Sequence, residues 1–157
     1  IEIIDAFIDF REEVVTKRTT YDLGKARNKA HVLIGLVVAN ENIDEIIKLI
    51  KSSKDTKEAR ENLVKTKWQL SESNINFITL IEDQTSRLDK GYYNLTETQA
   101  KAILELRLHR LTSLERDDIK KELEEIVLEI KEYLEKLTFC FIYLLFLQSI
   151  HYLFRMI

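Results

Sequence analysis

Thr96 to Glu115 reads TETQAKAILELRLHRLTSLE, and this run decides the fold. Two helix-start signals bracket it. Thr96 followed by Gln99 is a capping box, in which the N-cap hydroxyl accepts from the third helical amide and that residue's side chain accepts from the N-cap amide. Thr112 followed by Glu115 has the same form. Between them Ile103, Leu104, Leu106, Leu108 and Leu111 supply more apolar surface than a helix packed on one side uses. The run predicts a helix that serves a core and a further contact, with a new helix starting within a few residues of its end.

Downstream lies the cleanest repeat in the chain. Ile119, Leu123, Ile126, Ile130, Tyr133 and Leu137 alternate steps of four and three, with charged residues in most positions between them. That is the seam of a two-stranded coiled coil. Upstream, Leu23, Ala26, Ala30, Leu33 and Val37 recur at the same steps and predict the matching seam. The helix carrying them, 7–39, is about 50 Å long at 1.5 Å per residue, too long to stand free in water without a partner. The return helix, counted from Arg116 to Leu137, is about eleven residues shorter, or roughly 16 Å.

Asn40–Asn42 interrupts the first helix. Asn42 with Glu45 resembles a cap for a short helix whose apolar side is Ile43, Ile46, Ile47 and Ile50. Asp55 with Glu58 repeats the pattern and starts a helix towards Trp68. From Ser71 to Asn94 the chain is polar and irregular, anchored by Phe77, Ile78, Leu80 and Ile81, with Gly91 ending a short helix. The expected fold is all-α: a long antiparallel two-helix coiled coil bearing a small helical head. Its parts are an outward arm (1–40), a head (41–115), a return arm (116–138) and an apolar tail (139–157).

Composition agrees. The 157 residues include no Pro and three Gly, and sheet proteins recruit both for turns. Charged residues of both signs make up 32%, as on the solvent faces of long helices. A formal net charge of −3 supplies no global basic footprint for nucleic acid. One Cys, Cys140, excludes an internal disulfide framework. The first residue is Ile, the apolar pattern is already running, and acids and bases within the opening residues exclude a signal peptide, so the start reads as the interior of a longer or processed protein.

From Phe139 the composition changes. FCFIYLLFLQSIHYLFRMI has no acid and no Lys, and its longest apolar run, 139–147, is short of the about twenty residues that span a bilayer. Three readings are open: a membrane or interfacial anchor, a helical dimerisation segment, or a coding change such as a frameshift that replaces the return arm's continuation. The last accounts for both the short return arm and the abrupt change.

Two stretches resemble a known family. Phe10 to Leu63, FREEVVTKRTTYDLGKARNKAHVLIGLVVANENIDEIIKLIKSSKDTKEARENL, is similar to the segment of the DNA gyrase A subunit that leaves the breakage domain and runs down a long arm. Leu95 to Glu115, LTETQAKAILELRLHRLTSLE, is similar to its exit-gate block. Order and spacing match, and the corresponding chain of topoisomerase IV shares the pattern. The resemblance implies a bacterial type IIA topoisomerase fragment that forms a homodimer through its head. For the holoenzyme it implies two partners, double-stranded DNA and the gyrase B subunit, with ATP and Mg2+ as cofactors and a cytoplasmic, nucleoid-associated location. The implied dimer surface is Ala100, Ile103, Leu104, Arg107 and Leu108; the same residues also read as internal core. The family's nucleophilic tyrosine, neighbouring arginine and magnesium site lie outside the matched stretches. None of Tyr21, Tyr92, Tyr93, Tyr133, Tyr143 and Tyr152 has a matching context, so the fragment is expected to be inactive alone.

Other constellations are weak. No Gly-rich phosphate loop appears. His31, His109 and His151 are far apart, which disfavours a metal site, and no cofactor is expected in this chain. Lys17, Arg18, Lys25, Arg27 and Lys29 make the outward arm locally basic. A weak, sequence-independent DNA contact and a solvated coiled-coil flank both account for them. An independent coiled-coil scaffold, tethered to a membrane by the tail, and a decayed gene product remain the alternatives to a topoisomerase part.

Overall fold

The computed structural model describes residues 2–71, 75, 78, 81, 88–89, 91–106 and 113–155; side chains are described for these except at 2, 4, 5, 88, 89, 113–116 and 140–155. Helix dominates, as the composition predicts. Helix α1 spans Glu2–Glu41, α2 Ile43–Ser52, α3 Thr56–Lys65, α4 Glu97–Glu105 and α5 Ser113–Arg155. Three short strands, β1 (Lys67–Gln69), β2 (Leu88–Asp89) and β3 (Tyr92–Asn94), form an antiparallel sheet in the order β1-β3-β2.

The chain divides into two compact units: 1–26 with 128–157, and 27–127. In the first, the opening half of α1 lies with the closing half of α5. Leu23 and Ala26 are buried there, as is Ile130, whereas Tyr133 and Leu137 are half-buried. α1 also carries a second apolar stripe in this unit: Ile3, Phe7, Phe10, Val14 and Tyr21 are exposed, the two phenylalanines by 62% each.

In the second unit, Ala30, Leu33 and Val37 of α1 and Ile119, Leu123 and Ile126 of α5 are buried, and Lys29 Nζ reaches Glu122 Oε1 at 2.7 Å. The end of α1 is buried on more than its seam, since Ile34, Leu36, Val38 and Ala39 are also inside. It is enclosed because the head folds back on it. α2 and α4 both pack against α3. The sheet faces the same core through the opposed pair Trp68 and Tyr93, both almost wholly buried, with the indole Nε1 donating to the Leu63 carbonyl at 3.0 Å. Ile78 and Ile81 are buried as expected; Phe77 and Leu80 lie outside the described residues.

Several local expectations change. The head is not purely helical. Gly91 does not end a helix: at φ 87° it precedes β3 in the turn from β2, where the register pairs Asp89 with Tyr92, and a positive φ in a tight hairpin favours glycine. Asn42 does not cap α2 with its side chain. Its Nδ2 donates to the carbonyls of Val38 (3.0 Å) and Gln69 (2.9 Å), so the residue closes the end of α1 and ties it to β1. Asp55 makes no side-chain cap, and Glu58 accepts from the Lys54 amide instead, at 2.7 Å.

The gate-block helix is also shorter than expected. α4 stops at Glu105, where Leu106 turns to ψ 128° and donates to the Ile103 carbonyl at 3.2 Å. Leucine is a good helix former, so the intrinsic propensity of residue 106 does not account for this end. Leu108, Leu111 and the second capping box at Thr112 lie outside the described residues. The return helix does not stop near Leu137. α5 runs for 43 residues against 40 for α1, so the expected shortfall in length is absent. The Thr138 hydroxyl donates back to the Leu134 carbonyl at 2.8 Å, and Phe139 is exposed.

Candidate functional site: the head helix and its seat on the arm

The capping box of α4 forms as the sequence predicts. Thr96 Oγ1 accepts from the Gln99 amide at 3.2 Å, and Gln99 Oε1 accepts from the Thr96 amide at 2.9 Å. Gln99 does more than cap. It is fully buried, and its Nε2 donates to the backbone carbonyl of His31 on α1 (2.7 Å) and to Tyr93 Oη on β3 (3.0 Å). The phenol hydroxyl faces Oε1 at 3.4 Å. Both amide hydrogens and both oxygen lone pairs are thus in use. The orientation of the amide is chemically determined, since the His31 carbonyl requires a donor and the Thr96 N–H an acceptor.

Gly35 makes room for this arrangement. A Cβ on residue 35 would lie 2.7 Å from both Cβ and Cγ of Gln99 and 3.2 Å from Cδ. The missing side chain leaves a notch on α1, one turn beyond His31, and Gln99 fills it. A second link runs beside it, with His31 Nε2 at 2.9 Å from Thr96 Oγ1. Thr96 Oγ1 also lies 2.8 Å from Thr98 Oγ1. One lone pair already takes the Gln99 N–H. The hydroxyl therefore donates to one of its remaining neighbours and accepts from the other.

The residues assigned to the dimer surface separate. Ala100 and Ile103 are inside the head of a single chain, at 0% and 6% exposure, with α4 packed on α3. They are not surface; they belong to the core that supports α4. Leu104 is half-exposed and lines an open groove of about 800 Å³ with Ile50, Ser53, Lys54, Thr56 and Ala59. Arg107 and Leu108 lie outside the described residues.

Of the basic residues of α1, Lys17, Arg18 and Lys25 fall in the first unit and Arg27 and Lys29 in the second. Lys17 pairs with Glu13, Arg18 with Asp22 at 3.9 Å, and Lys29 with Glu122. The hydrogen bond from Lys17, reinforced by its charge, holds the Glu13 carboxyl below its ordinary value. Pairing of this kind is what a solvated helix flank shows. Among the described residues no cluster of His, Cys, Asp and Glu has the make-up of a metal site, and no helix is long and apolar enough to cross a membrane.

Comparison with known proteins follows the same span. The family of DNA gyrase and topoisomerase IV A subunits matches residues 1–140. The chain belongs to this family. It is 45% identical over 133 residues to the DNA gyrase A subunit of Rickettsia conorii, covering 85% of this chain and 15% of that protein. Identity is 41% over 143 residues with the gyrase A subunit of Haemophilus influenzae and 43% over 145 with that of Pseudomonas aeruginosa, in each case 87% of this chain and 16% of the relative. The chain thus spans about 15% of the length of the gyrase A subunits it matches. The family match ends one residue beyond the exposed Phe139, where the composition changes.

Sequence reasoning missed His31, Gly35 and Tyr93 and saw only half of Gln99's role. One signal was available. Gly35 is an isolated glycine inside an apolar helical run, where it costs about 1 kcal/mol against Ala and usually marks close packing.

Proposed function

We propose that this chain supplies the arm and exit-gate head of a gyrase A-type subunit. In that role two heads touch below the DNA-cleavage platform, hold the subunits together while DNA is open, and part to release the transported duplex. The observation that carries the reading is the family match over 1–140, which includes the gate block around the Thr96–Gln99 box. The contact must be apolar yet modest, because it opens in every cycle. With Ala100 and Ile103 in the core, the surface assigned to the contact is Leu104 and its neighbours towards Leu108. Double-stranded DNA, a gyrase B-type subunit, ATP and Mg2+ belong to the whole assembly, as does a cytoplasmic, nucleoid-associated location. Lys17, Arg18, Lys25, Arg27 and Lys29 contribute at most a diffuse field to passing DNA.

The exposed stripe Ile3, Phe7, Phe10, Val14 and Tyr21 supports a place within a larger body, since apolar surface of this extent is usually covered by a partner. Sedimentation velocity across a concentration series tests the reading. The chain is expected to dimerise, and Leu104→Glu or Leu108→Glu to weaken the dimer by about tenfold or more, the loss of ~1.4 kcal/mol of contact. A monomer at every concentration, or a dimer indifferent to both substitutions, refutes the assignment. The purified chain is expected neither to cleave nor to relax supercoiled DNA.

A second reading concerns the tail, where α5 continues to Arg155, beyond the family match. A tether predicts that the chain pellets with membranes and resists high salt.

A further inference from the structure

We propose that Gln99 is a positioning residue, the key that sets the direction in which α4 presents its outer face from the end of α1. Three observations carry this. The amide is fully buried and its hydrogen-bonding capacity is filled by three different elements: the His31 carbonyl on α1, Tyr93 on β3 and the Thr96 amide at the start of α4 itself. The side chain sits in a notch that exists only because residue 35 lacks a Cβ. The contact fixes rotation as well as distance, because exchanging the amide's N and O would set two acceptors against each other at His31 and two donors at Thr96.

Apolar contacts alone would not do this. Ala100 and Ile103 hold α4 on the core but tolerate sliding, whereas a fully paired amide in a buried site admits one arrangement. Leu104, on the same short helix, takes its direction from that arrangement. The lock acts within one chain, so it does not depend on what the head meets.

Its test is a distance measurement inside a single chain. With Cys140→Ser in the background, spin labels are placed at the exposed positions Asn28 on α1 and Lys101 on α4 as Asn28→Cys and Lys101→Cys, and the labelled chain is diluted with unlabelled chain to suppress contributions between copies. The parent is expected to give one narrow distance population. Gln99→Met, which keeps the length and loses the hydrogen bonds, is expected to widen or split it by about twofold or more while helix content stays constant, because a packed interface without its key adopts alternative arrangements. Gln99→Ala is expected to do the same. A Gln99→Met chain with the parent's narrow distribution overturns the proposal, even where Gln99→Ala fails to fold. Loss of self-association with an intact lock, or the reverse, separates this inference from the exit-gate reading.

Discussion

Placing a methyl group in the notch at Gly35 should have an effect whose sign depends on Gln99. In Gly35→Ala the new Cβ lies 2.7 Å from Gln99 Cβ and Cγ, well inside the contact distance of about 3.5–4.0 Å between carbons. Overpacking of this kind costs about 1–3 kcal/mol. The substitution also replaces glycine in a helix interior, which stabilises by about 1 kcal/mol. The net effect in the parent is then about 0–2 kcal/mol of destabilisation.

Gln99→Ala alone removes a buried amide and its bonds to the His31 carbonyl, Tyr93 Oη and the Thr96 amide, the last being half of the capping box. Loss of buried hydrogen bonds of this kind costs about 1–3 kcal/mol. In that background Gly35→Ala meets fewer obstacles. Cγ and Cδ are gone, and so is the tether to His31; the remaining Cβ–Cβ contact is relieved by a shift of α4 of about 1 Å, towards ordinary contact distance. Gly35→Ala should therefore turn neutral or stabilising, a coupling of about 1 kcal/mol or more between the two sites. Urea unfolding of the four chains measures it. The fluorescence of Trp68, the single tryptophan, reports on the head in which it is buried. If Gly35→Ala changes stability equally in both backgrounds, within about 0.5 kcal/mol, the notch and the key are not a unit and the reasoning fails.

Trp68→Phe removes the donor to the Leu63 carbonyl, which lies in the last turn of α3 where carbonyls lack helical partners. A loss of about 1–3 kcal/mol is expected in urea unfolding followed by circular dichroism. Lys29→Met breaks the bridge to Glu122, but those side chains are 59% and 45% exposed, so the loss should stay below about 1 kcal/mol and shrink further in 1 M salt. The same melt run at two salt concentrations decides this. Glu13 is depressed below 4.5 by Lys17, so its small contribution is present above that pH and is lost as pH falls through the lowered value. An NMR titration should show the Glu13 midpoint return towards its ordinary value in Lys17→Gln.

What the sequence disclosed follows from how often a signal is repeated. The seams at Leu23–Val37 and Ile119–Leu137 state the same period several times over, and their residues are buried except Tyr133 and Leu137, which are half-buried. A strand of two or three residues, such as β2 or β3, shows no period, so the sheet was invisible although it places Trp68 and Tyr93 at the centre of the head. The capping signals show a different limit. Thr96/Gln99, Asn42/Glu45 and Asp55/Glu58 have similar letters, yet only the first closes in both directions. Asn42 carries donors as well as an acceptor, and two carbonyls, from Val38 and Gln69, take both. Local pattern identifies which groups are able to bond, and the fold chooses among them. The same logic separates Ile103 from Leu104: adjacent apolar letters on one helix, one sealed by the chain itself and one left at the rim of a groove. Apolar character marks both for contact without saying with what, and only the close approach of α4 to Gly35 shows which face of the helix the chain has already used.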